Sequence, residues 1–599
     1  MSPRNRRAFL SLATTAAATG LAGCSQVLPG TSPRTDGDDD LPTTAPPGEL
    51  VDDWQYDPSQ HQGDSGGSSN ASGGAGGGST AMATQTTAST SVGLSAGGAK
   101  DVNNFRQNIE EDYLPIPSDL SYEGLFYDYY FDTGSKKSCE SLFCPSYSPA
   151  VTADPLSGET ERYLSVGLNS GLDAEDFDRK RLNLVVVLDI SGSMGSPFSQ
   201  YYYDQYGNRQ EVEDAGDRSK IAVAKDALAS LTKQLRPGDR FGVVLYNSEA
   251  AVAKPMNPVE RTDMDAIRGH IREDIEATGG THLSAGLDAA SGLLEEYRDA
   301  DQTTYENRMI VLTDAMPNIG DTSADSLEDR LAREAENNVH STFVGIGVDF
   351  NSDIVDQITS VRGANYYSVH SAKQFEERVT DGFEYMVTPL VFDLSLELDA
   401  EGYDIEKVYG SSAAEEATGQ LMQVNTLFAS PTSEGKTKGG VVLVKVTRTG
   451  NGGSGQLRLR ASWEDRTGKA GQTETTIEFP ASDPEYFANS GVRKAVLLTR
   501  YADLLKNWMV AERESGGDPP AEGIEVPGED LGKWERQSDP LTVSSEYRQR
   551  FATFTDHFES EMTALGDETL QQELDVLREL AGEATATRLA GVLSSRSLP

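Results

Sequence analysis

Asp189, Ser191 and Ser193 occupy alternate positions in Leu188-Asp189-Ile190-Ser191-Gly192-Ser193-Met194-Gly195. One carboxylate and two neutral hydroxyls on a turn can aim their oxygens at one point. Such a set is hard and carries little charge, which suits Mg²⁺ or Mn²⁺. Two later stretches offer the same kind of oxygen. Thr281 closes the glycine-rich Thr278-Gly279-Gly280-Thr281 ahead of a helical pattern, and Asp314 ends the apolar run Met309-Ile310-Val311-Leu312-Thr313. The plainer alternative for the first stretch is a strand end whose Asp and Ser cap the next helix, a common use of both residues.

Oxygens from three stretches can meet only if rigid elements bring them together. Residues 184–188 form an unbroken apolar, mostly β-branched run, expected to be a central strand buried on both faces. In an open α/β sheet, ligands bind at the carboxyl ends of such strands, where the loops diverge. Ile221, Ala224, Leu228 and Leu231 have helical spacing, and Arg236-Pro237-Gly238 stops that helix. Further strands are expected over 241–246, 309–313, 341–347 and 366–369, with a short edge strand starting at Val252. Helices are expected over 263–275, 283–297, 326–337 and 373–387, and near Ile354. This alternation predicts an α/β fold, a doubly wound, mostly parallel sheet. An insertion over 196–217, with Tyr201, Tyr202, Tyr203 and Tyr206, leaves the Ser193 loop directly and is expected to overhang it.

The order and spacing of these pieces resemble the von Willebrand factor type A (VWA) domain and its metal-ion-dependent adhesion site. The resemblance implies that Ser191, Ser193 and Thr281 supply metal oxygens, with Asp189 and Asp314 acting directly or through water. The cation would be Mg²⁺ or Mn²⁺, with Ca²⁺ a further candidate, and a partner protein's Asp or Glu carboxylate would complete its shell. One departure is Ala315, where the family usually has glycine. The chain is also similar to a prokaryotic surface-lipoprotein family with a central VWA domain, often labelled after calcium-activated chloride channel regulators. That similarity is specific over 182–389, looser after it, and absent from the amino-terminal stretch. The channel label is not carried over, since no segment is suited to line a membrane pore.

Acidic residues outnumber basic ones by 95 to 51, a net charge of −44 spread along 599 residues. Such a surface repels nucleic acid and anionic headgroups. It resembles proteins of extremely salty surroundings, as in halophilic archaea, where the screening length is about 3 Å or less. Asn5-Arg6-Arg7-Ala8-Phe9-Leu10 and the small apolar residues after it read as a twin-arginine export signal. Leu21-Ala22-Gly23-Cys24 looks like a lipobox. Lipid on Cys24 would hold the protein at the cell surface, outside the cytoplasm, on the cytoplasmic membrane. No later segment approaches the ~20 apolar residues a spanning helix needs.

The expected organisation is a signal over 1–24 and a disordered Gly/Ser/Thr/Pro-rich tether over 25–112. An aromatic-rich segment over 113–180 is expected to pack with an antiparallel β-domain over 389–482. The VWA-like domain, 181–388, lies between them, and a helical region over 483–599 ends the chain. The β-domain rests on alternation, as at Phe392, Leu394, Leu396 and Leu398. Cys139 and Cys144 are close enough in sequence for a local disulfide, permitted outside the cytoplasm.

The function these features favour is a non-enzymatic, metal-dependent binding protein outside the cell. An assembly or scaffolding role in a surface complex would use the same oxygens. A metal-dependent hydrolase is the third reading. A hydrolase elbow needs Gly-x-Ser-x-Gly, and Ser191 stands where the first glycine would be. A haloacid-dehalogenase-type site resembles Asp-x-Asp, and Ser191 again replaces the second acid. His282 is the histidine beside the site in sequence, and a histidine at a helix start reads as structural. No residue is assigned a catalytic role.

Overall fold

The structure is a computed structural model. It describes residues 50–60, 91–98, 102–110, 112–134, 141–173, 177–196, 201–203, 209–211, 218–314, 324–346, 360–369, 372–380, 382–400, 403–411, 421–448, 457–480, 485–515 and 539–582. The apolar run becomes the strand Arg181–Asp189, buried at every position after Arg181. It lies inside a six-stranded sheet ordered Ala250–Pro258, Arg240–Tyr246, Arg181–Asp189, Tyr305–Thr313, Val339–Ile346, Asn365–Val369. The last five strands pair in parallel. Ala250–Pro258 pairs antiparallel with Arg240–Tyr246, because the short turn at 247–249 permits no crossover. The sheet is therefore mixed, and its outer strand is longer than the short one expected at Val252.

Side chains of the central strand alternate between two apolar layers. Leu182, Leu184, Val186 and Leu188 pack with Ile221 and Leu228 of the helix Lys220–Leu231, Ile267 of Met264–Glu273 and Phe375 of Ala372–Val379. Val185 and Val187 face Leu287 of Leu283–Leu294 and Leu331 of Ala324–Glu336. With helices on both faces, positions 184–188 are all apolar, buried Asn183 donates to Asn307 Oδ1 at 2.7 Å, and each buried Leu or Val contributes on the order of 1.5–3 kcal/mol. The single helix expected over 373–387 is two, Ala372–Val379 and Phe383–Met386. They part at Gly382, where an added Cβ would lie 2.9 Å from the Arg378 carbonyl oxygen.

Two larger antiparallel sheets hold most of the remaining strands among the described residues. One is ordered Ala470–Ile477, Leu457–Asp465, Pro389–Ala400, Leu421–Ser430, Ser91–Ala96, Asn169–Asp173. The other is ordered Tyr403–Tyr409, Val441–Arg448, Thr160–Gly167, Ser146–Ala153, Tyr486–Phe487. Each draws strands from both sides of the parallel-sheet domain. One apolar cluster joins them, with Leu94, Leu164 and Val166 against Leu394, Leu396, Val442 and Val444. The tether expected over 25–112 is thus corrected in part. Ser91–Ala96 pairs on both sides, Asn103–Glu110 is helical, and residues 50–60 pack on the parallel sheet's edge. These segments are short and set among low-complexity sequence, and long-range partners order them.

The carboxyl-terminal helices Ser490–Ser515, Ser545–Leu565 and Gln571–Ala581 share a core with Phe105, Phe126, Tyr129 and Phe131. The early aromatics are therefore packing residues. Within the insertion, Tyr201–Tyr203 and Arg209–Glu211 pair as an antiparallel ribbon. Cys144 is disulfide-bonded. Cys24, Cys139, Ala315 and the helix expected near Ile354 lie outside the described residues. Among the described residues no helix is long and apolar enough to cross a membrane.

Candidate metal centre

Parallel register sets Asp189 opposite Tyr246 on one neighbouring strand and Leu188 opposite Leu312 on the other. The ends of three strands are thus level, and their side chains meet around Asp189. Asp189 Oδ1 accepts from the Ser191 amide at 2.8 Å, while Oδ2 accepts from Thr313 Oγ1 at 2.7 Å and Tyr246 OH at 3.1 Å. The chain then turns through Gly192–Gly195, which places Ser191 Oγ 3.0 Å from Ser193 Oγ. Ser193 Oγ donates to Asp314 Oδ1 at 3.0 Å, and the Lys220 ammonium donates to Asp314 Oδ2 at 2.9 Å. A continuous polar chain therefore runs from Ser191 to Lys220.

The Thr281 loop is fastened to the same turn. Thr278 N donates to Ile190 O at 2.7 Å and Gly192 N to Gly279 O at 2.9 Å. Gly280 N donates to Ser248 Oγ at 2.9 Å. Gly279 has φ +81, and a Cβ there would lie 3.1 Å from Ser248 Oγ, so the turn needs glycine. Thr281 is buried beside these contacts. His282 caps the following helix through its backbone, and its Nδ1 lies 3.3 Å from Ser248 O, a contact that joins loops.

Asp189, Ser191, Thr281, Asp314 and Lys220 are buried, and Ser193 is half-buried. Burial, and then the Asp314 charge, pushes the Asp189 carboxyl well above the usual carboxylate range, against hydrogen bonds that favour its ionised form. A divalent cation beside the two acids would favour their ionised forms. The donors are two acids and three hydroxyls, without sulfur or nitrogen, so the set fits a hard divalent cation. Among the described residues, this site included, no three His, Cys, Asp or Glu side chains gather as a metal site, so a cation here would depend on the hydroxyls.

Sequence reasoning named Asp189, Ser191, Ser193, Thr281 and Asp314, and the structure brings their stretches together. It passed over Lys220, Tyr246 and Thr313. Thr313 adjoins Asp314, and Tyr246 ends a strand, but neither position signals a contact with Asp189. Lys220 opens a helix whose other residues suggested only packing.

With this geometry, residues 184–316 match the family model of the von Willebrand factor type A domain. The chain contains a VWA domain, a kind of domain that generally mediates protein–protein interaction. Human inter-alpha-trypsin inhibitor heavy chain H4 is 24% identical over 240 residues, 39% of this chain and 22% of that protein. The uncharacterized protein YfbK of Escherichia coli K12 is 21% identical over 305 residues, 49% of this chain and 47% of YfbK. The chain thus spans less than half the length of these relatives. Among solved structures, a von Willebrand factor type A protein from Catenulispora acidiphila aligns with TM-score 0.42 and 16% identity, over 75% of this chain and 91% of that one. The ArnB paralog VWA2 from Sulfolobus acidocaldarius aligns with TM-score 0.35 and 13% identity, over 74% of this chain and 97% of that one.

Proposed function

We propose that the protein is a non-enzymatic binding protein whose VWA domain engages a partner protein through a divalent metal. Ser191, Ser193 and Thr281 would hold Mg²⁺ or Mn²⁺ (Ca²⁺ as a further candidate), with Asp189 and Asp314 acting directly or through water. Bound there, the cation would supply a positive centre for an oxygen of the partner. The observation that carries this reading is the chain Ser191–Ser193–Asp314 at the ends of adjacent parallel strands, with both acids buried. Three of the five ligand residues are neutral and the Lys220 ammonium offsets one of the two acids, so an Asp or Glu carboxylate is the partner group best suited to the remaining charge.

The protein would act at the cell surface, held by lipid on Cys24 after twin-arginine export. The motif at residues 21–24 and the disulfide at Cys144 support an extracytoplasmic setting. The net charge of −44 argues against nucleic acid as a partner.

Calorimetry with Mg²⁺ and Mn²⁺ tests the site. Wild type should bind and Asp189→Ala should not; equal affinity in the two would remove the metal reading. A pull-down from membranes with and without EDTA then asks whether capture of a partner depends on the cation.

A further inference from the structure

Lys220 is the one charged side chain in the polar chain that the sequence did not place there. Its side chain is 2% exposed and ion-paired to Asp314 at 2.9 Å. The other Asp314 oxygen is taken by Ser193 Oγ. Lys220 is also fixed from its backbone. It is the first residue of the helix Lys220–Leu231, which Ser219 caps by accepting from the Ala222 amide. Its own amide donates at 2.9 Å to Ser196 O, just past the turn that carries Ser193. Behind it, Ile221, Ala224 and Leu228 anchor the helix in the core.

Resting on the metal reading above, we infer that Lys220 couples the cation to the partner's carboxylate, so that neither binds well without the other. Asp189, Asp314 and Lys220 together carry one net negative charge when both acids are ionised. A divalent cation reverses this to one net positive charge in a buried setting, where excess charge is costly. An external carboxylate restores neutrality. Without Lys220, the two acids would neutralise the cation alone and the external carboxylate would add little. Lys220 thus weakens cation binding to the free protein and makes an anionic ligand the completing one.

The full-length protein, acetate as the carboxylate probe and Mn²⁺ calorimetry at constant ionic strength test this. In wild type, replacing chloride with acetate should tighten Mn²⁺ binding several-fold. Lys220→Met should bind Mn²⁺ at least about tenfold tighter in chloride, since a unit charge a few ångströms away is worth several kcal/mol at an effective dielectric of about 20. It should also lose the acetate effect, while Lys220→Arg should behave as wild type. A lysine that merely held Asp314 in place would give the opposite sign, with Lys220→Met binding Mn²⁺ more weakly. Weaker or unchanged binding in Lys220→Met, or wild-type binding indifferent to acetate, overturns the inference and leaves the metal site standing. If wild type binds no divalent cation, the metal reading falls and this inference with it. Should Lys220→Met fail to fold, Lys220→Gln takes its place in both measurements, with the same outcomes.

Discussion

At Asp189, three donors converge on a carboxylate that water does not reach: the Ser191 amide and the Tyr246 and Thr313 hydroxyls. Burial and the Asp314 charge nevertheless outweigh them and favour the neutral acid. An amide of the same shape removes the charge and keeps an oxygen for the Ser191 amide. Asp189→Asn is therefore expected to be more stable than wild type in EDTA, by about 1 kcal/mol or more, since one pKa unit corresponds to about 1.4 kcal/mol. The same variant should lose the rise in melting temperature that Mg²⁺ gives wild type by mass action. Thermal melts with EDTA and with Mg²⁺ read both effects. A lower melting temperature for Asp189→Asn in EDTA would mean that the charge itself helps hold the three strand ends together.

Among the elements, residues 50–60 are the segment whose local sequence says least about its place. They cross the edge of the parallel sheet and the helix Met264–Glu273. Val51 bridges Thr262, and Gln55 N donates to Ala253 O at 2.8 Å. Asp53 Oδ2 lies 3.0 Å from Lys254 Nζ and 2.6 Å from Asn257 Nδ2, and Tyr56 is buried. Trp54 stacks on His270 at 5.6 Å, while the two ring nitrogens meet Asp52 at 2.9 Å and Asp274 at 2.6 Å. Partial burial lowers the His270 pKa, but hydrogen bonds to Asp52 and Asp274 outweigh it and raise the value above the ordinary one. A raised histidine stabilises fully below its unfolded value, near 6.5, and the gain is lost as pH rises through the folded value. The gain is about 1 kcal/mol or less, because the imidazole is partly solvated. Amide exchange over residues 51–56 should accelerate as pH rises from 6 to 8, beyond the intrinsic increase. His270→Gln should abolish that excess, and an unchanged excess would move its origin elsewhere.

For the whole molecule, the contact that matters is between the VWA domain and the antiparallel sheet that holds Pro389–Ala400 and Leu421–Ser430. Arg308 is fully buried, donating to Glu306 at 2.8 Å, to Thr342 at 2.9 Å and to Gly363 O at 3.3 Å, with Phe428 beneath it at 5.7 Å. Gly363 N in turn donates to Thr426 at 2.7 Å, and His340 lies against Phe392. Burial raises the Glu306 pKa, but His340 and Arg308 outweigh it and hold the value at about 2. That stabilisation is present above the unfolded value of about 4.3 and is lost as pH falls toward 2. Arg308→Met would leave Glu306 buried with His340 as its partner and take away the contact to Gly363. The expected cost is about 3–5 kcal/mol, read as a lower denaturation midpoint at pH 7. A midpoint within error of wild type would show that this junction contributes little to stability.

Features set by neighbours in the chain could be read before any coordinates. The apolar run at 184–188 has no polar position because both faces are covered, and that leaves its mark in consecutive residues. The spacing of Asp189, Ser191 and Ser193 is likewise local, since one turn orients all three. Alternation at Val442, Val444 and Val446 marks a strand in the same way, while Val441 and Leu443 on its other face join a second core. Other features belong to the tertiary structure alone. Tyr246 and Thr313 reach Asp189 only because parallel register levels the strand ends, Lys220 reaches Asp314 only because its helix packs on that sheet, and nothing in their own surroundings encodes either. Ser91–Ala96 has too little apolar content to announce a strand, yet it pairs on one side with residues more than 300 positions away. Strand pairing draws its stability from cross-strand partners and shared burial rather than from intrinsic backbone preference. A segment can therefore be a central strand or a tether according to what the rest of the chain places beside it.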